Sequence, residues 1–415
     1  MVPDGAGGIH VSAGASTTMT PGGLDLVAVQ GLLAVQQLGG WLLFDRDGQD
    51  PISASLVAPA GRPQRAWFYL IPASGQPTLI AHQAEVGAFA AVPGKLLPYR
   101  GTAALDAALG AALRGVKSVA MQYSPKAALP TMSRVDAGTL ELVRGKGVKV
   151  VGADSLVQAT KARWSPQARL DHAVAAHHLG ALRAAAVAFI AERLAAGAPV
   201  TEWDVARHVA AGMAVRGLVG PSPRIAAGVN SADPEYAPGP RRAAAIRPGD
   251  VVTIGLAGKL EADTAVYAAL TWVAFVGVRV PDAVARTFDI ASLARDRAVA
   301  LITERVSRRR AIKGLEADAA AREFVATAGL ADRFLHRTGH SLDRDLFGAG
   351  ANLDGLEVDD ARPLVAGTGF TIGPGLYLPG QFGVRAEVSA YLGPDGLELT
   401  TPAQQQVELI APGPR

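Results

Sequence analysis

The run "GTGFTIGPGLYLPGQFGVRAEVSAYLGPDGLELT", from Gly367 to Thr400, is the feature that most constrains the fold. Short apolar stretches alternate in it with Gly-Pro, Pro-Gly and Asp-Gly pairs, which predicts strand, turn, strand, turn and strand. Strands joined by such short turns pair antiparallel. The stretches "GDVVTIGLAGKL" and "AALTWVAFVG" predict two further antiparallel strands. The C-terminal part is therefore predicted to be an α+β domain built on an antiparallel sheet.

The N-terminal part has a different pattern, in which buried strands alternate with helical stretches. The predicted strands are "WLLFD" (41–45), "AWFYLIP" (66–72), "PTLIAH" (77–82), "SVAMQY" (118–123) and "VKVVGA" (148–153). This alternation predicts a small α/β domain. Helices are predicted over 24–38 and 103–114 here, and over 166–196, 201–216, 282–306 and 315–329 in the C-terminal part.

The boundaries follow from local composition. Residues 1–23 are rich in Gly, Ser, Thr and Pro, which predicts a disordered leader. Ser165-Pro166 is a helix-start signal, with serine at the cap and proline in the first turn. We therefore predict an α/β domain over 24–160 and an α+β domain over 165–415.

Composition excludes several functions. The chain of 415 residues has no cysteine, so disulfides, thiolate metal sites and cysteine nucleophiles are excluded. Lys and Arg number 40 against 37 Asp and Glu, with no long basic run, and nucleic-acid binding is not expected. The longest apolar run, 181–197, is interrupted by Arg183, Glu192 and Arg193, which predicts a buried helix and no membrane span. We expect a cytoplasmic protein.

The stretch "FLHRTGHSLDRDLFGAG" (334–350) contains two of the chain's eight histidines, His336 and His340. Histidines beside glycines and charged residues are typical of a metal site or a catalytic pocket. The acidic stretch 354–364 that follows is predicted to be a solvated loop.

Several stretches, in this order, resemble the Xaa-Pro aminopeptidase, prolidase and creatinase family, called M24 or pita-bread. They are "GVNSADPEYAPG", "RPGDVVTIGLAGKL", "YAALTWVAFVG", "FLHRTGHSL", "GTGFTIGPGLYLPGQFGVRAE" and "DGLELT". "WLLFD", "RAWFYLIP" and "MSRVDAGTLELVRGKGVKVV" resemble the family's smaller N-terminal domain. The resemblance implies a creatinase-like α/β domain followed by a pita-bread domain, and a homodimer.

The resemblance also implies a site. In the family's metallopeptidases, two Asp, one His and two Glu side chains hold two divalent cations, which activate a water and polarise the scissile carbonyl. Matched motif by motif, His340 and Glu387 retain their ligand types. The other three positions are Gly255, Ala269 and Gly373. One imidazole and one carboxylate do not offset the desolvation of two dications, so we predict that the two-metal centre is absent and that no cofactor is bound.

Other positions differ from the peptidases as well. Where those relatives have substrate-side histidines, this chain has Glu235 and Phe347. Three small residues at ligand positions are expected to widen the pocket. A single weakly held cation on His340, Glu387 and Glu235 is the alternative.

The candidate site residues therefore fall into two groups. His340 and Glu387 are the catalytic candidates, since a carboxylate beside an imidazole raises its basicity. Arg385, two residues before Glu387, would either clamp a substrate carboxylate or form a structural ion pair with Glu387. The further substrate-binding candidates are His336, Glu235, Tyr236 and Tyr267, with packing as the alternative role for both tyrosines.

Three hypotheses for function follow. The first is a metal-independent enzyme, of hydrolase or lyase type, acting on a small carboxylate-bearing amide or amino-acid derivative through His340 and Glu387. Creatinase sets the precedent for metal-free chemistry on this fold, although its catalytic histidine corresponds here to Glu235. The second is a non-catalytic binding or regulatory pseudopeptidase. The third, and least favoured, is an Xaa-Pro metallopeptidase.

Overall fold

The computed structural model describes residues 18–411, which divide into two compact units with the boundary between Lys161 and Ala162. Residues 1–17 of the predicted leader lie outside the described residues. Residues 18–23 are not a free leader, because the hydroxyl of Thr20 is buried and donates to the carbonyl of Leu56 at 2.5 Å. The disorder predicted for this short part is therefore wrong.

The first unit is a mixed six-stranded sheet flanked by helices, with strand order β4-β3-β2-β1-β5-β6. Its elements are α1 (Leu26–Val35), β1 (Gly40–Asp45), α2 (Pro51–Val57), β2 (Trp67–Pro72), β3 (Thr78–His82), β4 (Lys95–Tyr99), α3 (Thr102–Ala112), β5 (Ser118–Met121), α4 (Ala137–Arg144), β6 (Lys149–Gly152) and α5 (Asp154–Thr160). The five predicted strands are confirmed. β4 was not predicted, because Pro98 interrupts its apolar pattern and its side chains are mostly half-buried.

The second unit contains the remaining elements. They are α6 (Pro166–Ala195), α7 (Glu202–Val215), β7 (Leu218–Val219), β8 (Arg224–Ala227), β9 (Val251–Leu260), β10 (Ala268–Val276), α8 (Asp282–Ser307), α9 (Gly314–Thr327), β11 (Ser341–Leu342), β12 (Thr368–Ile372), β13 (Gly375–Leu378), β14 (Phe382–Arg385), β15 (Val388–Gly393), β16 (Gly396–Leu399) and β17 (Glu408–Ile410). The four helices predicted here are confirmed within two residues at each end.

The predicted caps explain where these helices begin. The hydroxyl of Ser165 accepts from the N–H of Ala168, and Pro166 opens α6. Thr201 and Asp204 form a reciprocal capping box on α7. Helix α6 is long and apolar enough to span a membrane by length and composition, but in this unit its buried residues pack into the core beside β9 and β10.

Two sheets form the frame of the second unit. One has the order β17-β10-β9-β7, with β8 also on β9, and the other has the order β11-β12-β15-β16. β9 and β10 pair antiparallel, as the sequence predicts, and the register places Gly255 opposite Thr271. The core clusters lie where α6 and α7 cover the first sheet and where α8 and α9 cover the second.

The C-terminal run forms five strands, not the three predicted. The chain leaves the second sheet after β12, makes the separate β13–β14 hairpin and re-enters the sheet at β15. The break occurs because the N–H of Gly373 donates to the carbonyl of Thr338, and that of Ala386 donates to the carbonyl of Pro374. This detour brings the end of β14 and the start of β15 beside the histidine-containing stretch.

The acidic stretch 354–364 is a loop with exposed residues, as predicted, but two of its carboxylates are not solvated. Asp354 and Asp360 are both fully buried. Oδ1 of Asp354 accepts three backbone N–H groups, and Asp360 forms a bidentate pair with Arg362. These carboxylates shape the loop from within, because each buried charge has several donors.

Candidate functional site

A cavity of about 320 Å³ lies within the second unit, between β9, β10, the stretch 336–347 and the junction of β14 with β15. Of the predicted site residues, the structure brings His336, His340, Arg385, Glu387 and Glu235 to this cavity. They come from segments up to 152 positions apart in the chain. The two sheets make this possible, since Thr271 of β10 and Glu387 form a β-bridge between them.

His340 is held in one orientation at the edge of the second sheet. The backbone N–H of His340 donates to the hydroxyl of Thr371 at 3.1 Å, and the backbone carbonyl of His340 accepts from the backbone N–H of Thr371 at 2.8 Å. A β-carbon on Gly339 would lie 1.8 Å from the carbonyl oxygen of Thr371, so only glycine allows this close approach. The strand pairing therefore fixes where the imidazole lies.

The hydrogen bonds of His340 define its tautomer. Nδ1 lies 3.1 Å from the carbonyl oxygen of Ser341, which can only accept, so Nδ1 bears the proton in the neutral ring. Nε2 has no hydrogen-bond partner among residues 18–411 and is the free acceptor. Burial lowers the pKa of His340 to about 4 despite the opposing effect of nearby Glu387, so the ring is neutral at pH 7.

Glu387 is buried, and both of its oxygens are engaged. Oε1 accepts from Nη2 of Arg385 at 2.5 Å, and Oε2 accepts from the hydroxyl of Thr271 at 2.7 Å. The ion pair considered as the alternative role of Arg385 is the one that the structure forms. Arg385 and Thr271 thus keep Glu387 as an oriented carboxylate beside His340.

His336 lines the cavity but has no free ring nitrogen. Nδ1 donates to the carbonyl of Arg337 at 2.7 Å, so Nε2 accepts from the hydroxyl of Tyr377 at 2.8 Å. Burial, with the charge of Arg385, lowers the pKa of His336 to about 3. Burial raises the pKa of Tyr377 to about 12. The pair is therefore neutral and suits a wall of the cavity better than a proton donor or acceptor.

The three small residues at the implied ligand positions do not act alike. Gly255 and Ala269 line the cavity, as expected. Gly373 does not widen it: a β-carbon there would lie 2.6 Å from Cβ of Glu387. That part of the prediction is wrong, because the side chain of Glu387 covers the glycine.

The donor set does not fit a two-cation centre. Within the part of the chain that the structure describes, no group of three or more His, Asp or Glu side chains could hold a metal ion. Glu387 already accepts from a cation and a hydroxyl, and Glu235 is largely exposed and lies 3.5 Å from Arg224. Of the two retained ligand types, His340 and Glu387, only His340 has an unengaged donor atom among the described residues.

Two predicted substrate-binding residues lie elsewhere. The hydroxyl of Tyr236 donates at 2.5 Å to Glu202, a buried carboxylate that also accepts from the N–H groups of Ala227 and Ala244. Tyr267 packs on the cluster around Trp164, and neither tyrosine lines the cavity. Their placement matches the packing alternative, since Tyr236 is buried beside Glu202 and Arg242 and Tyr267 packs against the Trp164 cluster.

Sequence reasoning missed several cavity residues, and two of them, Thr271 and Arg337, matter most for the site. Thr271 holds Glu387, and Arg337 lies between the two cavity histidines in the chain and also lines the cavity. The signal for Arg337 was its place inside "HRTGH". Thr271 had no local signal, because its role depends on a bridge to a segment 116 positions away.

Comparisons with known proteins agree with this architecture. A model of metallopeptidase family M24 matches residues 173–392. The chain is 27% identical to the probable dipeptidase PepE of Mycobacterium tuberculosis over 347 residues, which covers 80% of this chain and 82% of that protein.

Solved structures show the same fold. The dipeptidase PepE from Mycobacterium ulcerans superimposes with a TM-score of 0.72 at 23% identity, over 93% of this chain and 97% of that one. A prolidase from Thermococcus sibiricus superimposes with a TM-score of 0.64 at 19% identity, over 92% of this chain and 98% of that one. The chain thus has the pita-bread fold with a creatinase-like N-terminal α/β domain, and it belongs to metallopeptidase family M24.

Proposed function

We propose that this chain is a metal-independent enzyme that acts on a small carboxylate-bearing amide or amino-acid derivative. The observation that supports this most is the state of His340. Its ring is neutral, its Nδ1 proton is held by Ser341, and its Nε2 is unengaged at a cavity of about 320 Å³. A fixed neutral imidazole with one free acceptor atom can accept a proton as a general base, and its lowered pKa makes it a weaker base than an exposed histidine.

Each residue has a defined role in this proposal. Nε2 of His340 takes a proton from the substrate or from an attacking water and returns it to the leaving group. Glu387, held as a carboxylate by Arg385 and Thr271, stabilises the imidazolium that forms. Because burial lowers the pKa of His340 to about 4, turnover should be level from pH 7 to about 5 and fall as the pH approaches 4.

A non-catalytic binding protein is the second candidate, and one observation favours it. Both oxygens of Glu387 and both nitrogens of His336 are already engaged. Proton transfer would then depend on His340 alone. A pocket in which most polar groups are satisfied suits ligand binding without turnover.

The experiment has two steps. First, elemental analysis of the purified chain is expected to find no stoichiometric Mn, Co, Fe or Zn. Second, turnover of a substrate panel is measured with added chelator. The panel contains N-acyl amino acids and also dipeptides, because the relatives include dipeptidases. Wild type is compared with His340→Ala and with His177→Ala, an exposed histidine on α6 outside the cavity.

We expect turnover that survives chelation, is lost in His340→Ala and is unchanged in His177→Ala. Two equivalents of metal together with chelator-sensitive Xaa-Pro hydrolysis would contradict the proposal. Ligand binding with no turnover of any panel member would favour the non-catalytic candidate instead.

A further inference from the structure

Three arginines among the described residues line the cavity, and they are held very differently. Arg385 donates to Glu387 at 2.5 Å and is occupied. Arg224 is half-exposed and donates to the carbonyl of Pro234 at 3.2 Å. Nη2 of Arg385 and Nη1 of Arg224 are therefore already engaged by protein acceptors, and Nε of Arg385, which has no hydrogen-bond partner in the described part of the chain, is buried.

Arg337 is the exception. Its guanidinium makes no direct hydrogen bond to any residue of the range 18–411. The nearest acceptors are Oδ2 of Asp354 and Oε2 of Glu357, each 3.6 Å from Nη1. Both distances exceed a hydrogen bond. Oδ2 of Asp354 is accordingly buried without a hydrogen-bond partner. Arg337 thus presents a partly buried guanidinium with unused donors.

An aromatic surface adjoins this cation. The guanidinium carbon of Arg337 lies 5.8 Å from the ring centroid of Phe347, and that ring lies 4.7 Å from the ring of His340. Phe347 is 65% exposed, which is unusual for a ring of its size, and it lines the cavity together with Leu346. Cation, apolar surface and free imidazole nitrogen therefore follow one another along one wall.

We propose that Arg337, and not Arg385, binds the carboxylate of the ligand, and that the ligand is a small acid with an apolar substituent that packs on Phe347. An N-acyl amino acid with an apolar side chain is the class that fits. Its carboxylate lies against the guanidinium, and its amide points toward Nε2 of His340. This inference rests on the proposed function, since it names the part of the substrate that the same cavity recognises.

Two carboxylates lie at ion-pair distance from Arg337, and neither forms a hydrogen bond with its guanidinium. Oδ1 of Asp354 is engaged by three backbone N–H groups, so this side chain is fixed with its Oδ2 3.6 Å from Nη1 of Arg337 and cannot move in to a hydrogen-bonding distance. Oε1 of Glu357 accepts from the backbone N–H of Arg337 at 3.2 Å, and its half-exposed carboxylate is the partner of Arg337 that water can solvate when a ligand arrives. A planar guanidinium still offers two parallel donors, which match a carboxylate in a fork-to-fork pair.

The test measures binding by saturation-transfer NMR. The probes are N-acetyl-L-phenylalanine and its neutral counterpart, N-acetyl-L-phenylalaninamide. The proteins are wild type, Arg337→Gln, Arg337→Lys and Arg333→Gln, the last a nearby arginine that does not line the cavity. Thermal unfolding of each variant checks that the fold is intact.

Wild type is expected to bind the acid more tightly than the amide. Arg337→Gln should lower the affinity for the acid about ten- to hundredfold, since a charge-assisted pair is lost, and leave the affinity for the amide unchanged. Arg337→Lys should have an affinity for the acid between those of wild type and Arg337→Gln, because lysine keeps the charge but lacks the two parallel donors of a guanidinium. Arg333→Gln should bind the acid like wild type.

The inference is overturned if wild type binds neither probe, if acid and amide bind equally, or if Arg337→Gln binds the acid like wild type. The two proposals fail separately. If turnover depends on His340 but Arg337→Gln binds the acid like wild type, only the inference that Arg337 binds the carboxylate is refuted. Acid binding that depends on Arg337 without turnover of any substrate removes only the catalytic proposal.

Discussion

Gly373 shows how one missing side chain reorganises the cavity. The carboxylate of Glu387 can turn toward Arg385 and Thr271 because its β-carbon lies directly over the glycine. The backbone of Gly373 is also tied, by its N–H, to the carbonyl of Thr338. Neither residue can move away easily, so this position has no room for a side chain.

Substituting Gly373→Ala is therefore expected to destabilise the protein by about 1 to 3 kcal/mol, the usual cost of overpacking a buried site. Gly255→Ala is the matched control. A β-carbon there would lie 3.4 Å from Cβ of Arg224, an ordinary contact. That variant should leave the free energy of unfolding unchanged or raise it by up to about 1 kcal/mol. Denaturant unfolding measures both, and equal effects at the two glycines would refute the packing argument.

Helix α6 is joined to the strands by one buried histidine. Nδ1 of His172 donates to the carbonyl of Tyr267 at 2.9 Å, so Nε2 accepts from the hydroxyl of Thr400 at 2.7 Å. The ring also lies 4.5 Å from that of Trp164. Burial lowers the pKa of His172 to about 4, so the helix is anchored by a neutral imidazole.

This anchor makes stability depend on pH. Between about pH 6.5, where an unfolded histidine titrates, and about pH 4, the unfolded chain binds a proton that folded His172 does not bind. The contribution of His172 to the free energy of unfolding is therefore fully present above pH 6.5. It decreases as the pH is lowered toward 4, by up to about 1.4 kcal/mol per pH unit. Replacing His172→Gln should reduce the slope of unfolding free energy against pH in that window. Parallel curves for the two proteins would show that His172 does not titrate as inferred.

At the scale of the whole molecule, each unit has hydrophobic core clusters built from its own residues. The sheet of the first unit is packed by residues between Leu42 and Val150. The clusters of the second unit draw only on residues from Trp164 onward. The entire candidate cavity also belongs to the second unit. The expected homodimer and the cytoplasmic location stay predictions.

A fragment of residues 162–411 is accordingly expected to fold without the first unit. Its cores need no residue from outside the fragment, so it should unfold cooperatively and keep its near-ultraviolet circular dichroism. The fragment 18–161 is the complementary sample. A fragment 162–411 that lacks a cooperative transition would mean that the second unit needs the first for its stability.

Much of this protein could be predicted from the sequence because the relevant signals are local. Turn pairs, caps and apolar periodicity located most strands and the long helices. The motif around His340 and Glu387 indicated the family and the cavity. The solvation predicted for the acidic stretch is wrong at Asp354 and Asp360, since their burial depends on backbone donors that fold around them.

By itself, therefore, the sequence determined the architecture and the identities of the residues at the implied ligand positions. Only the tertiary structure decided what those residues do. It pairs Arg385 with Glu387, fills the space at Gly373, turns Tyr236 toward Glu202 and leaves the guanidinium of Arg337 without a hydrogen bond. The physical reason is range: hydrogen bonds act over about 3 Å, between atoms whose separation depends on segments far apart in the chain.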